Sequence, residues 1–178
     1  MKVGLIGCGN ISRAYLNNGA TFNQMKIVAC ADLRPEAAEA RAAEFGLKAM
    51  SVDDLLADPQ IDTILNLTTP QSHIEINLRA IEAGKNVHCE KPFGLDREGA
   101  RHVVKRAAEK KLRVGCAPDT FLGGGHQTCR KIIDDGQIGR VVCGTAFMLC
   151  HGHESWHPAP AFYYQKGGGP LFDMGPYY

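Results

Sequence analysis

Lys2-Val3-Gly4-Leu5-Ile6-Gly7-Cys8-Gly9-Asn10-Ile11-Ser12 is the stretch on which the fold turns. A short aliphatic run ends in Gly-x-Gly and passes without a break into a helical pattern predicted over Ile11 to Asn18. Gly7 permits the tight turn from strand to helix. Gly9 lets the backbone approach a pyrophosphate held at the helix N-terminus, with Asn10 and Ile11 in the same contact set. Ser12 stands at the third glycine position of the dinucleotide fingerprint. Asp32 ends the second predicted strand, where a carboxylate accepts from the adenosine ribose hydroxyls. That carboxylate repels a ribose 2′-phosphate and favours NAD. Arg34, two residues on, offsets part of the charge and keeps NADP open. A methyltransferase shares a glycine-rich first loop and an acid after the second strand, so the loop alone does not choose a chemistry.

Outward from this loop, short β-branched runs alternate with longer helical patterns, the signature of a parallel sheet with helices on both faces. Strands are predicted at Lys2 to Ile6, Lys26 to Ala31, Asp62 to Leu67, Asn86 to Glu90 and Arg113 to Ala117, with a weaker one at Leu47 to Met50. Helices are predicted at Pro35 to Phe45, Asp53 to Ala57, Ser72 to Ala83 and Asp96 to Lys110. Pro35 suits a first helical position and Ser51 and Asp96 suit N-caps, while Gly19, Gly46 and Gly84 suit left-handed C-terminal positions. The alternation stops near Pro118. A helix from His126 to Asp135 and an apolar strand from Val141 to Leu149 then follow. The expected architecture is therefore α/β: a Rossmann-type doubly wound parallel sheet over 1–118, then the start of an α+β domain over 119–178.

A net charge of +1 with no basic run argues against a nucleic-acid partner. Seven cysteines lie scattered without a C-x-x-C pair, which suits a reducing cytoplasm and small buried hydrophobes better than a disulfide framework. No apolar run approaches a membrane span, and glycine enters too early for a signal peptide.

The segment Glu82-Ala83-Gly84-Lys85-Asn86-Val87-His88-Cys89-Glu90-Lys91-Pro92 resembles the glucose-fructose oxidoreductase / inositol dehydrogenase / rhizopine-catabolism group, Gfo/Idh/MocA, whose signature after the fifth strand is Glu-Lys-Pro. The resemblance covers the whole chain. Thr68-Thr69-Pro70-Gln71-Ser72-His73 is similar to the family loop beside the nicotinamide half of the cofactor, which places Thr68, Thr69, Pro70, His73, Glu90 and Lys91 among the expected cofactor contacts. Gly167-Gly168-Gly169-Pro170-Leu171-Phe172-Asp173-Met174-Gly175-Pro176-Tyr177 resembles the second-domain motif G-G-G-x-L-x-D-x-G-x-H. The resemblance implies a nicotinamide-dependent oxidoreductase acting on a CH–OH group of a sugar, polyol or related cyclic alcohol.

Such a reaction needs a group to take the hydroxyl proton as the carbonyl forms. Lys91, partly desolvated beside a nicotinamide cation, is the first candidate. The resemblance supplies Asp173 as an orienting carboxylate and, at the usual histidine position, Tyr177, so proton transfer and hydroxyl binding are expected jointly from Lys91 and Tyr177. An N-cap on a helix starting near Tyr177 is the other role open to Asp173. Trp156, His157 and Tyr163 are expected to wall a polar-substrate pocket. Cys150, His151, His153 and His157 lack the paired spacing of a zinc site, and no metal is expected. The family pattern implies a longer C-terminal portion used for substrate and homo-oligomer contacts, so residues 1–178 alone are expected to be an inactive fragment. A non-catalytic nucleotide-binding module would keep Gly7, Gly9 and Asp32 but has no need of Lys91 or Asp173.

Overall fold

Six strands form one parallel sheet in the order β3-β2-β1-β4-β5-β6. In this computed structural model, residues 1–157 and 160–177 are described; Pro158, Ala159 and Tyr178 lie outside them. The strands are β1 (Lys2–Ile6), β2 (Lys26–Ala31), β3 (Lys48–Ala49), β4 (Thr63–Asn66), β5 (Asn86–Cys89) and β6 (Val114–Cys116). Helices α1 (Ser12–Gly19), α2 (Pro35–Phe45), α3 (Val52–Ala57), α4 (His73–Glu82) and α5 (Arg97–Glu109) connect them in turn. The chain folds as two units, Met1–Ala117 and Pro118–Tyr178.

Alternation along the strands builds two cores. Val3, Leu5, Cys30 and Leu65 pack with Leu16 of α1 and Ala38 and Ala42 of α2 on one face. Ile6, Ala29, Ile64, Val87 and Cys89 pack with residues of α3, α4 and α5 on the other. Helices on both faces are what right-handed crossovers require when the strand order reverses beside β1. Gly4 belongs to this packing, since a Cβ there would lie 2.7 Å from Leu55 Cδ2. Lys85 is buried and its ammonium donates to the carbonyls of Asp58 and Ile61 at 2.6 and 2.7 Å, pinning the start of β5 to the turn before β4.

Ser51 and Asp96 cap α3 and α5, accepting from Asp54 N at 3.0 Å and Gly99 N at 2.7 Å. Gly46 and Gly84 have the positive φ expected of them. Gly19 does not: it is the last residue of α1, whose C-cap is Ala20 in right-handed conformation. A side chain at Gly19 would press on Ile27, so close packing against β2 explains this glycine.

In the second unit α6 spans Gly124–Asp134 and α7 spans Gly169–Asp173. The strand expected at Val141 to Leu149 does not form among the described residues. A strand is stabilised by its ladder, and no described residue of this unit pairs with it; Val142, Phe147 and Leu149 stand exposed. The expectation of buried cysteines holds for Cys8, Cys30 and Cys89 but not for Cys129, Cys143 and Cys150, which are exposed; all seven are free thiols. The helix expected near Tyr177 is a single 3-10 turn, Gly175–Tyr177, and Asp173 ends α7 instead of capping a helix N-terminus.

Candidate functional site

Because every strand is parallel, the segments after β1, β2, β4 and β5 emerge at one edge of the sheet. That edge gathers Gly7, Gly9, Asp32, Thr68, Glu90 and Lys91 beside the crossover between β1 and β4, the place where open α/β sheets bind ligands.

Gly7 sits at φ +104°, and a Cβ there would lie 2.5 Å from the backbone carbon and oxygen of Leu67. Nothing lies within 4 Å of a Cβ built on Gly9, which faces open space. The loop carbonyls are drawn into the protein. Ser12, fully buried, donates its hydroxyl to Gly9 O at 2.6 Å, and Arg41 Nη2 reaches Cys8 O at 3.2 Å and Gly9 O at 3.4 Å. The amides of Gly9, Asn10 and Ile11 have no partner among the described residues, and all three residues are exposed. Unpaired amides at the head of a helix are the donor set a pyrophosphate needs.

Asp32 is locked by backbone. Its Oδ2 accepts from Cys8 N at 2.7 Å and its Oδ1 from Arg34 N at 2.9 Å, while Arg34 Nε stays 3.9 Å away on an exposed side chain. Beside it opens a cavity of about 740 Å³ lined by Asp32, Leu33, Met50, Ser51 and Val52, a volume typical of small-molecule pockets. Glu39, Asp54 and Lys48 also line it, so three carboxylates face one ammonium.

Arg41 was not marked by the sequence. It is largely buried, pairs through Nη1 with Glu44 at 2.5 Å, and Glu44 in turn binds Arg13 of α1 at 3.1 Å. Nothing in the sequence separates Arg41 from the other charges of α2, since its partners are carbonyls on a loop 32 and 33 residues away.

At the end of β4, the buried Asn66 accepts from Thr68 N at 3.2 Å and Thr68 Oγ1 at 2.7 Å, and donates to Asn77 Oδ1 at 2.8 Å. Asn66 and Asn77 thus fix Thr68, leaving Thr69 exposed and Pro70 at the start of a 3-10 turn. His73, expected beside the cofactor, lies inside. Only 1% of it is exposed, and its Nδ1 and Nε2 face Pro92 O at 2.6 Å and Thr68 O at 2.9 Å, so no ring nitrogen is left for a ligand.

Glu90 likewise spends both oxygens within the protein, accepting from Tyr15 OH at 2.7 Å and from Lys91 N at 2.9 Å. Tyr15, on α1, is a second residue that sequence reasoning missed. Lys91 is half-buried and its bond to Pro92 is cis. Burial pushes the neighbouring Cys89 thiol up to about 12, which makes it a packing residue and not a nucleophile.

In the second unit Asp173 Oδ2 lies 3.3 Å from Nε2 of the buried His153. His153 stacks on Tyr163 with ring centroids 3.8 Å apart and meets Trp156 at 4.8 Å. His157 packs on Phe162 at 4.8 Å. Tyr163 is therefore the floor of this aromatic cluster, its hydroxyl pKa raised by desolvation first and then by Asp173. Trp156 is exposed on the rim. Within Gly167-Gly168-Gly169, a Cβ on Gly168 would strike the carbonyls of Phe162 and Tyr163, while Gly167 and Gly169 hold positive φ. Tyr177 O accepts from Thr120 Oγ1 at 2.8 Å. His153 was weighed from sequence only as a metal ligand; its pairing with a residue 20 positions later leaves no local pattern.

The glycine loop, the unpaired amides and the locked acid are the features of a nucleotide-binding domain of Rossmann type. Residues 1–117 match the family model described as an oxidoreductase family with an NAD-binding Rossmann fold, and residues 126–178 match the GFO/IDH/MocA C-terminal domain. The chain belongs to the Gfo/Idh/MocA family. It is 31% identical over 174 residues to inositol 2-dehydrogenase of Rhizobium meliloti (strain 1021), covering 98% of this chain and 51% of that protein. To 1,5-anhydro-D-fructose reductase of Ensifer adhaerens it is 33% identical over 176 residues, covering 96% of this chain and 52% of that protein. The WlbA dehydrogenase of Bordetella pertussis, solved with NADH and UDP-GlcNAcA, superposes with a TM-score of 0.75 at 28% identity, covering 79% of this chain and 41% of that one. The chain spans about half the length of the curated relatives it matches.

Proposed function

We propose that the complete protein oxidises a CH–OH group of a sugar, polyol or related cyclic alcohol, or reduces the corresponding carbonyl, with NAD as the hydride carrier. The observation that carries this reading is the collection of Gly9, Asp32 and Lys91 at one edge of the sheet, with the Gly9–Ile11 amides unpaired beside it. The names of the inositol dehydrogenase and anhydrofructose reductase relatives support the substrate class.

The residues present fit a dinucleotide. Gly9, Asn10 and Ile11 would donate amides to the pyrophosphate, and Asp32 would accept from the adenosine ribose. The excess of carboxylates around the adjoining cavity would repel a 2′-phosphate, which favours NAD, while the exposed Arg34 and Lys48 would soften the discrimination. Nicotinamide, when bound, would supply the hydride acceptor. In the complete protein the one hydroxyl proton released would pass to Lys91 or to Tyr177, the other group binding the hydroxyl, with Asp173 in the orienting role that the family motif implies. Glu90 and Tyr15 support this role by fixing the Lys91 backbone.

Free thiols at all seven cysteines support a cytoplasmic setting. Among the described residues no helix is long and apolar enough to cross a membrane. A homo-oligomer would cover the exposed Val142, Phe147 and Leu149. The test is NAD reduction by the complete protein across a panel of cyclic polyols and sugars, followed with Lys91→Ala. Turnover should vanish in the variant while NADH affinity changes by less than about three-fold, a difference of under about 0.7 kcal/mol. Unchanged turnover refutes the role of Lys91.

A further inference from the structure

Two loops bring the chemistry of the first unit together: the one after β4, carrying Thr68, and the one after β5, carrying Lys91. Adjacent strand ends leave such loops free to move apart unless something joins them. His73, the first residue of α4, does so. One ring nitrogen lies 2.9 Å from Thr68 O and the other 2.6 Å from Pro92 O, the carbonyl next along the chain from Lys91. Hydrogen bonds to both carbonyls at once need the doubly protonated ring; with one proton the ring donates to one carbonyl and only packs against the other, and in both cases it lies fully buried between the two loops.

Its surroundings make the bridge stiff. Asn66 Nδ2 donates to His73 O at 3.2 Å while the same side chain holds Thr68, so the histidine backbone and the Thr68 loop share one anchor. Next to His73, Ile74 packs so closely on Gly94 that a Cβ there would lie 2.6 Å from Ile74 Cδ1. The first turn of α4 thus grips the Lys91 loop at Pro92 and again at Gly94. On its other side Glu90 is held by Tyr15 of α1.

We propose that His73 is a positioning residue: by bridging the Thr68 and Pro92 carbonyls it locks the two loops in register and sets Lys91 for proton transfer. The proposal rests on the dehydrogenase reading above and deepens it. It acts through Lys91 without touching substrate or cofactor, so its loss reaches turnover before binding. Misplacement of a reacting group by about 1 Å costs on the order of 100-fold in rate.

The experiment compares wild type, His73→Gln and His73→Phe in the complete protein. Phe keeps the ring volume and removes both nitrogens, and Gln restores a donor that reaches one carbonyl. Three quantities are read: amide deuterium exchange at 68–72 and 91–95, NADH affinity by fluorescence, and kcat on the best substrate of the panel. Exchange should quicken about ten-fold or more in both loops but not at the buried Leu65 amide, and kcat should fall about 10- to 100-fold with NADH affinity within about three-fold. His73→Gln should lie between wild type and His73→Phe. Unchanged exchange in either loop, unchanged kcat, a matching loss at Leu65, or unfolding of both variants would each overturn the proposal, the last two by assigning His73 to stability alone. If wild type turns over nothing on the panel, the dehydrogenase reading fails, and the exchange result still decides whether His73 braces the loops.

Discussion

Gly7→Ala and Gly9→Ala add the same methyl group to two glycines two residues apart, with opposite consequences. At Gly7 the methyl carbon would lie 2.5 Å from Leu67 C and O and 2.7 Å from Thr68 N, against an ordinary carbon contact of about 3.5–4.0 Å. Leu67 cannot retreat freely, because its amide donates to Ile6 O at 2.8 Å at the end of the β1–β4 pairing. The positive φ adds a cost of about 1–2 kcal/mol for any residue with a Cβ, and relief of the overlap about 1–3 kcal/mol more. A domain of this size holds roughly 6–17 kcal/mol in all. Gly7→Ala should therefore lower the unfolding temperature by roughly 10–20 °C. Gly9→Ala meets no atom within 4 Å, and stability should stay within about 0.5 kcal/mol of wild type. Its methyl projects to where the pyrophosphate is expected, and losing one charge-assisted hydrogen bond of about 1.5–3 kcal/mol raises the Kd for NADH about 10- to 100-fold. Thermal unfolding by circular dichroism and NADH fluorescence titration read the two effects. Equal losses of stability in both variants, or unaltered NADH binding by Gly9→Ala, would refute the separation of turn from contact.

Arg41→Met keeps the apolar stem and removes the guanidinium contacts to Cys8 O and Gly9 O; the Kd for NADH should rise about ten-fold as the loop loosens, and an unaltered Kd would show that Ser12 alone holds it. Asp32→Ala should shift cofactor preference toward NADP, measured as the ratio of kcat/KM values for the two cofactors. A ratio that stays put would place the 2′ position elsewhere than beside Asp32. Glu82 is held down to about 2, first by the hydrogen bond from Arg106 and then by that from Lys110. Its folded value lies below the ordinary one of about 4.5, so its contribution is whole above pH 4.5 and is lost as pH falls through about 2. The difference in unfolding temperature between wild type and Glu82→Gln should be small at neutral pH and vanish by about pH 2; a difference independent of pH would contradict the pairing.

By itself the sequence determined the parallel α/β sheet, because short β-branched runs, helical patterns and their caps are local, and six strands alternate with five helices before Pro118. It also determined the glycine turn and the acid beside it, since Gly7, Gly9 and Asp32 are tied to chain positions by a turn, a helix N-terminus and a strand end. It misjudged 141–149, where an apolar run of strand composition forms no strand, because a ladder is a property of two segments and not of one. The tertiary structure alone decided the supporting cast. Arg41 under the glycine loop, Tyr15 on Glu90, Asn77 on Asn66, His153 on Asp173 and His73 between two carbonyls are hydrogen bonds between residues distant in the chain or aimed at backbone atoms. Backbone carbonyls carry no letter of their own in a sequence, so a side chain that binds them leaves no pattern there. His73 shows the difference most plainly: its motif placed it next to a cofactor, and only the fold shows both of its nitrogens turned inward on the loops that flank the site.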